Sequence, residues 1–319
     1  MGGAAMTVPR DLDVVVLGEI NPDLILTGPD VEPVFGQVER LVDDANLTVG
    51  SSGAIFACGA ARLGLRTAMV GLVGDDPFGA FMVDQLRRRD VRTEGIVVSE
   101  TVSTGLTVIL NRGADRAILT HLGAMGAMSA DMVDRALLAR ARHVHVTSYF
   151  MQRALQPGLP GLLAEFRAAG GTVSVDTNYD PDERWGDGIE DVLRCADVLL
   201  PNEAEALALS GSPDVPAAAA ALSRLVPTVV VKRGEHGAYA YADGETVAVP
   251  SPPTVPVDTT GAGDSFDAGY LFGWLTGRPL RRRLELAVAC GSLSTRQVGG
   301  TAGQPTADQA LGLAVESAR

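Results

Sequence analysis

The sequence predicts an α/β protein: a three-layer sandwich with a mostly parallel central sheet, helices on both faces and a small β-sheet lid. Three observations predict it. Short apolar runs alternate with amphipathic ones along the chain, the pattern of repeated βαβ units. Hydrophobic residues make up 46% of the 319 positions but aromatics only 5%, and the aliphatic excess suits strands buried on both faces. Two segments, about 23–50 and 96–121, break the rhythm with short alternating runs and polar or glycine breaks. They read as strands outside the main sheet.

Each element follows from its local pattern. Residues 14–17, 67–73, 144–147, 173–176, 198–200 and 228–232 are apolar runs of strand length, predicted to lie in the centre of the sheet. Residues 54–63, 78–89, 129–140, 159–168, 202–210, 217–225 and 281–296 are predicted helices between or after them. A further helix over 264–275 carries Phe266, Tyr270, Leu271 and Trp274 on one stripe. Within the two exceptional segments, 41–48 and 106–110 are the strand-like pieces, able to cover one edge of the sheet. The whole of 1–319 is expected to form a single domain.

Charge and cysteine usage narrow the function. A net charge of −13 argues against a nucleic-acid surface and against attraction to anionic lipid. Cys58, Cys195 and Cys290 are far apart and show no metal spacing, so they read as reduced cysteines of a cytoplasmic protein. No apolar run reaches membrane-spanning length and no signal peptide is evident; the Met1–Met6 stretch reads as a loose tail. His143 and His145 alternate along a strand without further metal ligands and read as structural. No Walker lysine loop, nucleophile elbow or dinucleotide glycine pattern is present.

The most informative string is Asp258-Thr259-Thr260-Gly261-Ala262-Gly263-Asp264-Ser265-Phe266, a glycine-rich turn opening into a helix. Backbone N–H groups at Gly261, Ala262 and Gly263 can converge on one point, and the helix macrodipole adds to them, making an anion hole. Asp264 beside that hole is electrostatically awkward unless it takes a proton from an attacking hydroxyl. The string resembles the C-terminal signature of the ribokinase-like (PfkB) carbohydrate kinases. The resemblance runs from about residue 14 to 308.

Other motifs carry the same resemblance. Gly18-Glu19-Ile20-Asn21-Pro22-Asp23 follows the first strand, and the family implies Asp23 as a sugar-binding residue with Asn21 beside it; a carboxylate there can accept from two neighbouring hydroxyls. Gly50-Ser51-Ser52-Gly53 matches the N-terminal signature, placing Gly50, Ser51 and Gly53, like Asp264, against the substrate. Two positions depart from the family: Ile55 and Met125 stand where it has amides, which predicts an apolar side to the pocket. The stretch 50–53 holds no Lys or Arg, which argues against a phosphorylated substrate. Asp176-Thr177-Asn178-Tyr179-Asp180 is similar to a family motif in which an arginine stands at the position of Asp180.

For ATP, the resemblance implies Asn202, Lys232, Gly234, Gly237, Gly261 and Gly263. Asn202 with Glu205 fits a helix cap as well as the family's Asn-x-x-Glu, in which Glu205 acts on Mg2+ through water. Lys232, the only lysine in the chain, reads either as a phosphate ligand or as an exposed strand-end side chain. Asp258 fits a monovalent-cation site, K+ in this family.

The expected function is therefore ATP-dependent phosphorylation of a hydroxyl on a sugar or sugar-like molecule. Asp264 is the expected catalytic base, with the anion hole of Gly261, Ala262 and Gly263. The alternatives are a nucleoside kinase, which Ile55 and Met125 favour, and a non-catalytic sugar-binding protein on the same fold. The expected partners are small molecules, plus a second copy of the chain paired through the lid edge.

Overall fold

The computed structural model of the protein describes residues 9–112, 115–186 and 188–316. The tail at 1–6 lies outside them. In chain order the strands are β1 (Leu12–Leu17), β2 (Pro22–Thr27), β3 (Asp44–Val49), β4 (Thr67–Gly74), β5 (Arg92–Ser99), β6 (Leu106–Arg112) and β7 (Asp115–His121). They continue with β8 (Ala141–Thr147), β9 (Thr172–Asp176), β10 (Val198–Leu199), β11 (Thr228–Lys232), β12 (Ala238–Ala242) and β13 (Glu245–Val249). The helices are α1 (Ser52–Arg62), α2 (Pro77–Arg87), α3 (Arg135–Ala139), α4 (Leu159–Ala168) and α5 (Ile189–Leu193). After them come α6 (Glu203–Ser210), α7 (Val215–Leu222), α8 (Ala262–Leu275), α9 (Leu280–Ser294) and α10 (Ala307–Glu316).

Nine strands form one sheet in the order β13-β12-β11-β10-β9-β8-β1-β4-β5, parallel except for the hairpins that add β12 and β13. β1 and β4 are buried along their whole length, as strands covered on both faces must be. One apolar layer joins the sheet to α3, α4, α5 and α7; the other joins it to α1, α2, α8, α9 and α10. The expected three-layer sandwich is the fold. From β1 the chain adds β4 and β5 on one side, then β8 to β11 on the other. The switch point thus lies between β1 and β8, where open α/β sheets bind ligands at the carboxyl ends of their strands.

The lid is a separate sheet, β3-β2-β6-β7, with β2 and β6 parallel and its outer pairs antiparallel. Its first half matches the predicted 23–50 segment. The second half begins later than the predicted 96. Residues 96–99 belong to β5 and pair with Gly71–Gly74 of β4 at the edge of the main sheet. Of the Ile-Val-Val run there, Ile96 and Val97 are partly buried against the two core layers, while Val98 stays exposed at the sheet edge. The predicted helix over 129–140 is also split, into a short 3-10 turn at Ala130–Met132 and α3.

Candidate active site

Two glycine-rich helix starts meet at the switch point. Gly261 has φ 69°, a left-handed conformation that turns the chain into α8. A Cβ on it would lie 2.8 Å from Ile55 Cγ2 and 2.9 Å from Gly300 Cα, so the turn also has no room for one. Ala262, Gly263 and Asp264 form the first turn of α8, where helix N–H groups lack intrahelical acceptors; that of Ala262 donates to the Thr259 carbonyl at 3.2 Å. At the other start, Gly50 lies so close to Asp23 that a Cβ would sit 2.1 Å from Asp23 Oδ1. Ser51 caps α1 with φ 61°, and Gly53 lies against Gly18 at the end of β1.

Glu19, which the motif reading passed over, sits in the middle. Its Oε1 accepts from Ser52 N at 2.8 Å and from Ser148 Oγ at 2.7 Å, and its Oε2 accepts from Thr147 Oγ1 at 3.1 Å. Ser148, in the left-handed region at φ 49°, is held by Asn178, whose Oδ1 accepts from Ser148 N at 3.0 Å. Asn178 Nδ2 in turn donates to Ser52 Oγ at 2.8 Å. The ends of β1, β8 and β9 and the start of α1 are thus one hydrogen-bonded unit. The position of Glu19 just after a buried strand was the signal available in the sequence.

Asp264 is buried, and its carboxyl is pushed up to about 8. Burial is the main cause and the negative charges of Asp176 and Glu19 add to it; Lys232 and the Ser52 hydroxyl pull the other way. Asp23 is likewise raised to about 7, by burial first and then by the charges of Glu19 and Asp258. The charge of Glu19 acts on both carboxyls, so Asp23 and Asp264 lie near one another at the strand ends. Asn21 is buried beside it, donating to Thr107 Oγ1 at 3.2 Å and tying β2 to β6.

The predicted nucleotide residues fall into two groups. Lys232, Gly234, Gly237 and Gly263, with Thr259 and Ser292, line a cleft of about 530 Å³ between the β11 end and α8 and α9. Gly261 stands at the head of α8 beside it. Asn202 and Glu205 form a full capping box on α6: Glu205 N donates to Asn202 Oδ1 at 2.9 Å, and Asn202 N donates to Glu205 Oε2 at 2.9 Å. Glu205 is pushed up to about 7 by burial and by Asp176. Among the described residues no cluster of three or more His, Cys, Asp or Glu is spaced to hold a metal ion. The single carboxylate of Glu205 fits Mg2+, which keeps several waters and binds mainly through phosphate oxygens.

Three expectations need correction. Ile55 is not exposed on a pocket surface. It is buried behind the anion hole, filling the space that Gly261 and Gly300 leave, and its carbonyl accepts from Gln304 Nε2 at 2.8 Å. Met125 is buried as well, packed over Gly105, whose Cβ would lie 2.7 Å from Met125 Cε. Neither provides the apolar pocket wall expected of it. Lys232 is not an exposed strand-end side chain: its Nζ donates to Asp176 Oδ2 at 2.7 Å and to Asp267 Oδ2 at 3.1 Å.

Two further positions fold inward. Asp180 accepts from the backbone N–H groups of Asp182, Arg184 and Trp185, closing its own loop. Asp258 accepts from Thr260 N at 2.9 Å and Gly299 N at 2.8 Å, holding the anion-hole loop to the segment after α9. Those two donors outweigh burial and hold Asp258 below the usual carboxylate range.

A lidded, mostly parallel α/β sandwich with a carboxylate at a glycine-rich helix start defines a phosphotransferase of the sugar-kinase class. The chain matches the model of the pfkB family carbohydrate kinases over residues 11–307 and belongs to that family. It is 30% identical to an ATP-dependent ribose-1-phosphate kinase of Halopiger xanaduensis, over 92% of this chain and 95% of the relative. It is 32% identical to a fructokinase of Klebsiella pneumoniae over 81% of this chain and 89% of the relative. A candidate ribokinase II from E. coli, solved with ATP and Mg2+, superposes with a TM-score of 0.86 at 27% identity, covering 96% of this chain and 99% of its own. The protein is an ATP-dependent sugar kinase of this family.

Proposed function

We propose that the protein transfers the γ-phosphoryl group of ATP to a hydroxyl of a sugar or sugar-like molecule, with Asp264 as base. What supports this reading is proximity at the strand ends: Glu19 accepts from Ser52 N at the start of α1, Gly50 approaches Asp23, and Gly261 at the head of α8 packs on Ile55 of α1. Asp23 accepts from two sugar hydroxyls. Asp264 takes the proton of the attacking hydroxyl, and the N–H groups of Gly261, Ala262 and Gly263 receive the charge of the moving phosphoryl group. Mg2+, when bound with the nucleotide, would neutralise phosphate charge, with Glu205 reaching it through water; the E. coli relative solved with ATP and Mg2+ supports the two cofactors. Asp258 is the carboxylate that would face a K+ ion.

A second reading, a phosphorylated pentose, is favoured by Arg116. This residue lies on lid strand β7, and its Nη1 donates to Thr260 Oγ1 at 3.5 Å, beside Gly261. It supplies the cation that 50–53 lack, and the Halopiger relative is a ribose-1-phosphate kinase. Nucleoside kinase activity loses its support with the burial of Ile55 and Met125.

The lid also exposes Phe35, Leu41, Ile118 and Leu119, on which a second copy of the chain would pack. Among the described residues no helix is long and apolar enough to cross a membrane, and a cytoplasmic setting suits the ATP requirement.

The test compares kcat/KM for ribose, fructose, ribose 1-phosphate and several nucleosides in wild type and Arg116→Met. Preference for ribose 1-phosphate that Arg116→Met abolishes selects the second reading. Preference for a free sugar, unaffected by Arg116→Met, selects the first. Turnover of none of these with ATP overturns both.

A further inference from the structure

Lys232 stands alone as a cation in a buried cluster of acids. Its side chain is 12% exposed, and those of its partners Asp176 and Asp267 are 2% and 1% exposed. Asp176 ends strand β9, Lys232 ends β11, and Asp267 lies one turn into α8, three residues after Asp264. The ammonium therefore joins two strand ends to the first turns of the helix that carries the anion hole. It also lies directly beneath that hole: a Cβ on Gly263 would stand 3.6 Å from Lys232 Nζ and 3.8 Å from its Cδ.

The charges around this group come from every side. Burial alone would lower the lysine pKa, but Asp176, Asp267 and Glu205 outweigh it and raise it. Asp176 is held below its ordinary range by the lysine against its burial, whereas Asp267 is raised, by burial first and then by Asp176. Asp264 faces Asp176 and Glu19 from the sheet, with Asp267 on its own helix, and Lys232 is a cation that acts on it.

We propose that Lys232 is a positioning residue for phosphoryl transfer, a buried counter-ion that clamps α8 to the β9 and β11 ends and keeps Asp264 able to ionise. This inference rests on the reading of Asp264 as the base. It differs from a role as a phosphate ligand, in which the ammonium would leave Asp176 for the nucleotide.

The chain has no other lysine, which makes the test direct. Full-length protein labelled with [13Cε]lysine gives a single lysine signal by NMR. It should not titrate up to pH 11, and it should move in Asp267→Asn. A midpoint at or below the free-lysine value of about 10.4 overturns the proposal.

Lys232→Met keeps the stem and removes the charge. Its kcat/KM profile, measured with the best sugar of the panel above, should have an acid limb displaced upward by about one pH unit, with KM for ATP changed less than about threefold. An unmoved limb with KM for ATP raised more than about tenfold makes Lys232 a nucleotide ligand and overturns the proposal.

Should Lys232→Met not fold, Asp267→Asn tests the clamp: kcat should fall about tenfold at constant KM for ATP, and an unchanged kcat overturns the proposal. The base reading fails separately. Full turnover in Asp264→Asn ends it without altering the lysine titration.

Discussion

Replacing Asp264 by Asn should make the protein more stable and nearly inactive at the same time. The carboxyl is fully buried and raised from 3.8 to about 8, so the folded state holds a proton that the unfolded state releases. A raised acid gives stability that is complete below the unfolded pKa and is lost as pH rises through the folded one. About four pKa units at ~1.4 kcal/mol each set an upper bound near 5 kcal/mol lost between about pH 4 and pH 8.

Asn carries no proton and escapes that loss. Because Glu19 and Asp176 share the electrostatics, we expect a gain of about 2–4 kcal/mol at pH 8, shrinking toward zero near pH 4. At ~2 °C per kcal/mol for a chain of this size, Tm should rise by roughly 4–8 °C at pH 8. Calorimetry of ligand-free wild type and variant at pH 5, 6, 7 and 8 measures it. In the same variant kcat should fall by about 10²-fold or more with KM for ATP little changed. A Tm difference that does not grow with pH would refute the electrostatic reasoning, and wild-type turnover would refute the assignment of the base.

Three further outcomes follow from the geometry. In wild type, kcat/KM should rise about tenfold per pH unit up to about pH 8, because the base works only when ionised; a flat profile between pH 6 and 8 counts against it. Gly50→Ala places a methyl on Asp23 Oδ1, so KM for the sugar should rise by about tenfold or more while ATP binding, measured by calorimetric titration, stays close to wild type. Ile55→Asn should leave substrate preference alone and cost about 1–3 kcal/mol in urea unfolding, since its amide would face the backbone of Gly261 and Gly300 without water; a changed sugar ranking would show that Ile55 borders the pocket.

The sequence alone was enough for the fold class, for the glycine turn at Gly261–Gly263 that opens α8, and for the close approach of strand end and helix start near Asp23 and Gly50. Each of these is local. Apolar runs buried on both faces declare central strands, and a glycine turn entering a helix declares an anion site within a few residues of chain.

Only the tertiary structure decided which groups face one another. Ile55 looked like a pocket residue because it stands where the family has an amide, yet its side chain packs against Gly261 and Gly300. Lys232 is 56 residues from Asp176 and 35 from Asp267, and nothing local to the strand announces either partner. Glu19 and Ser148, 129 residues apart, meet because β1 and β8 are neighbours at the switch point. Charge pairing, burial and the resulting proton affinities depend on distances through space, and a strand order that brings β8 beside β1 sets those distances across the whole length of the chain.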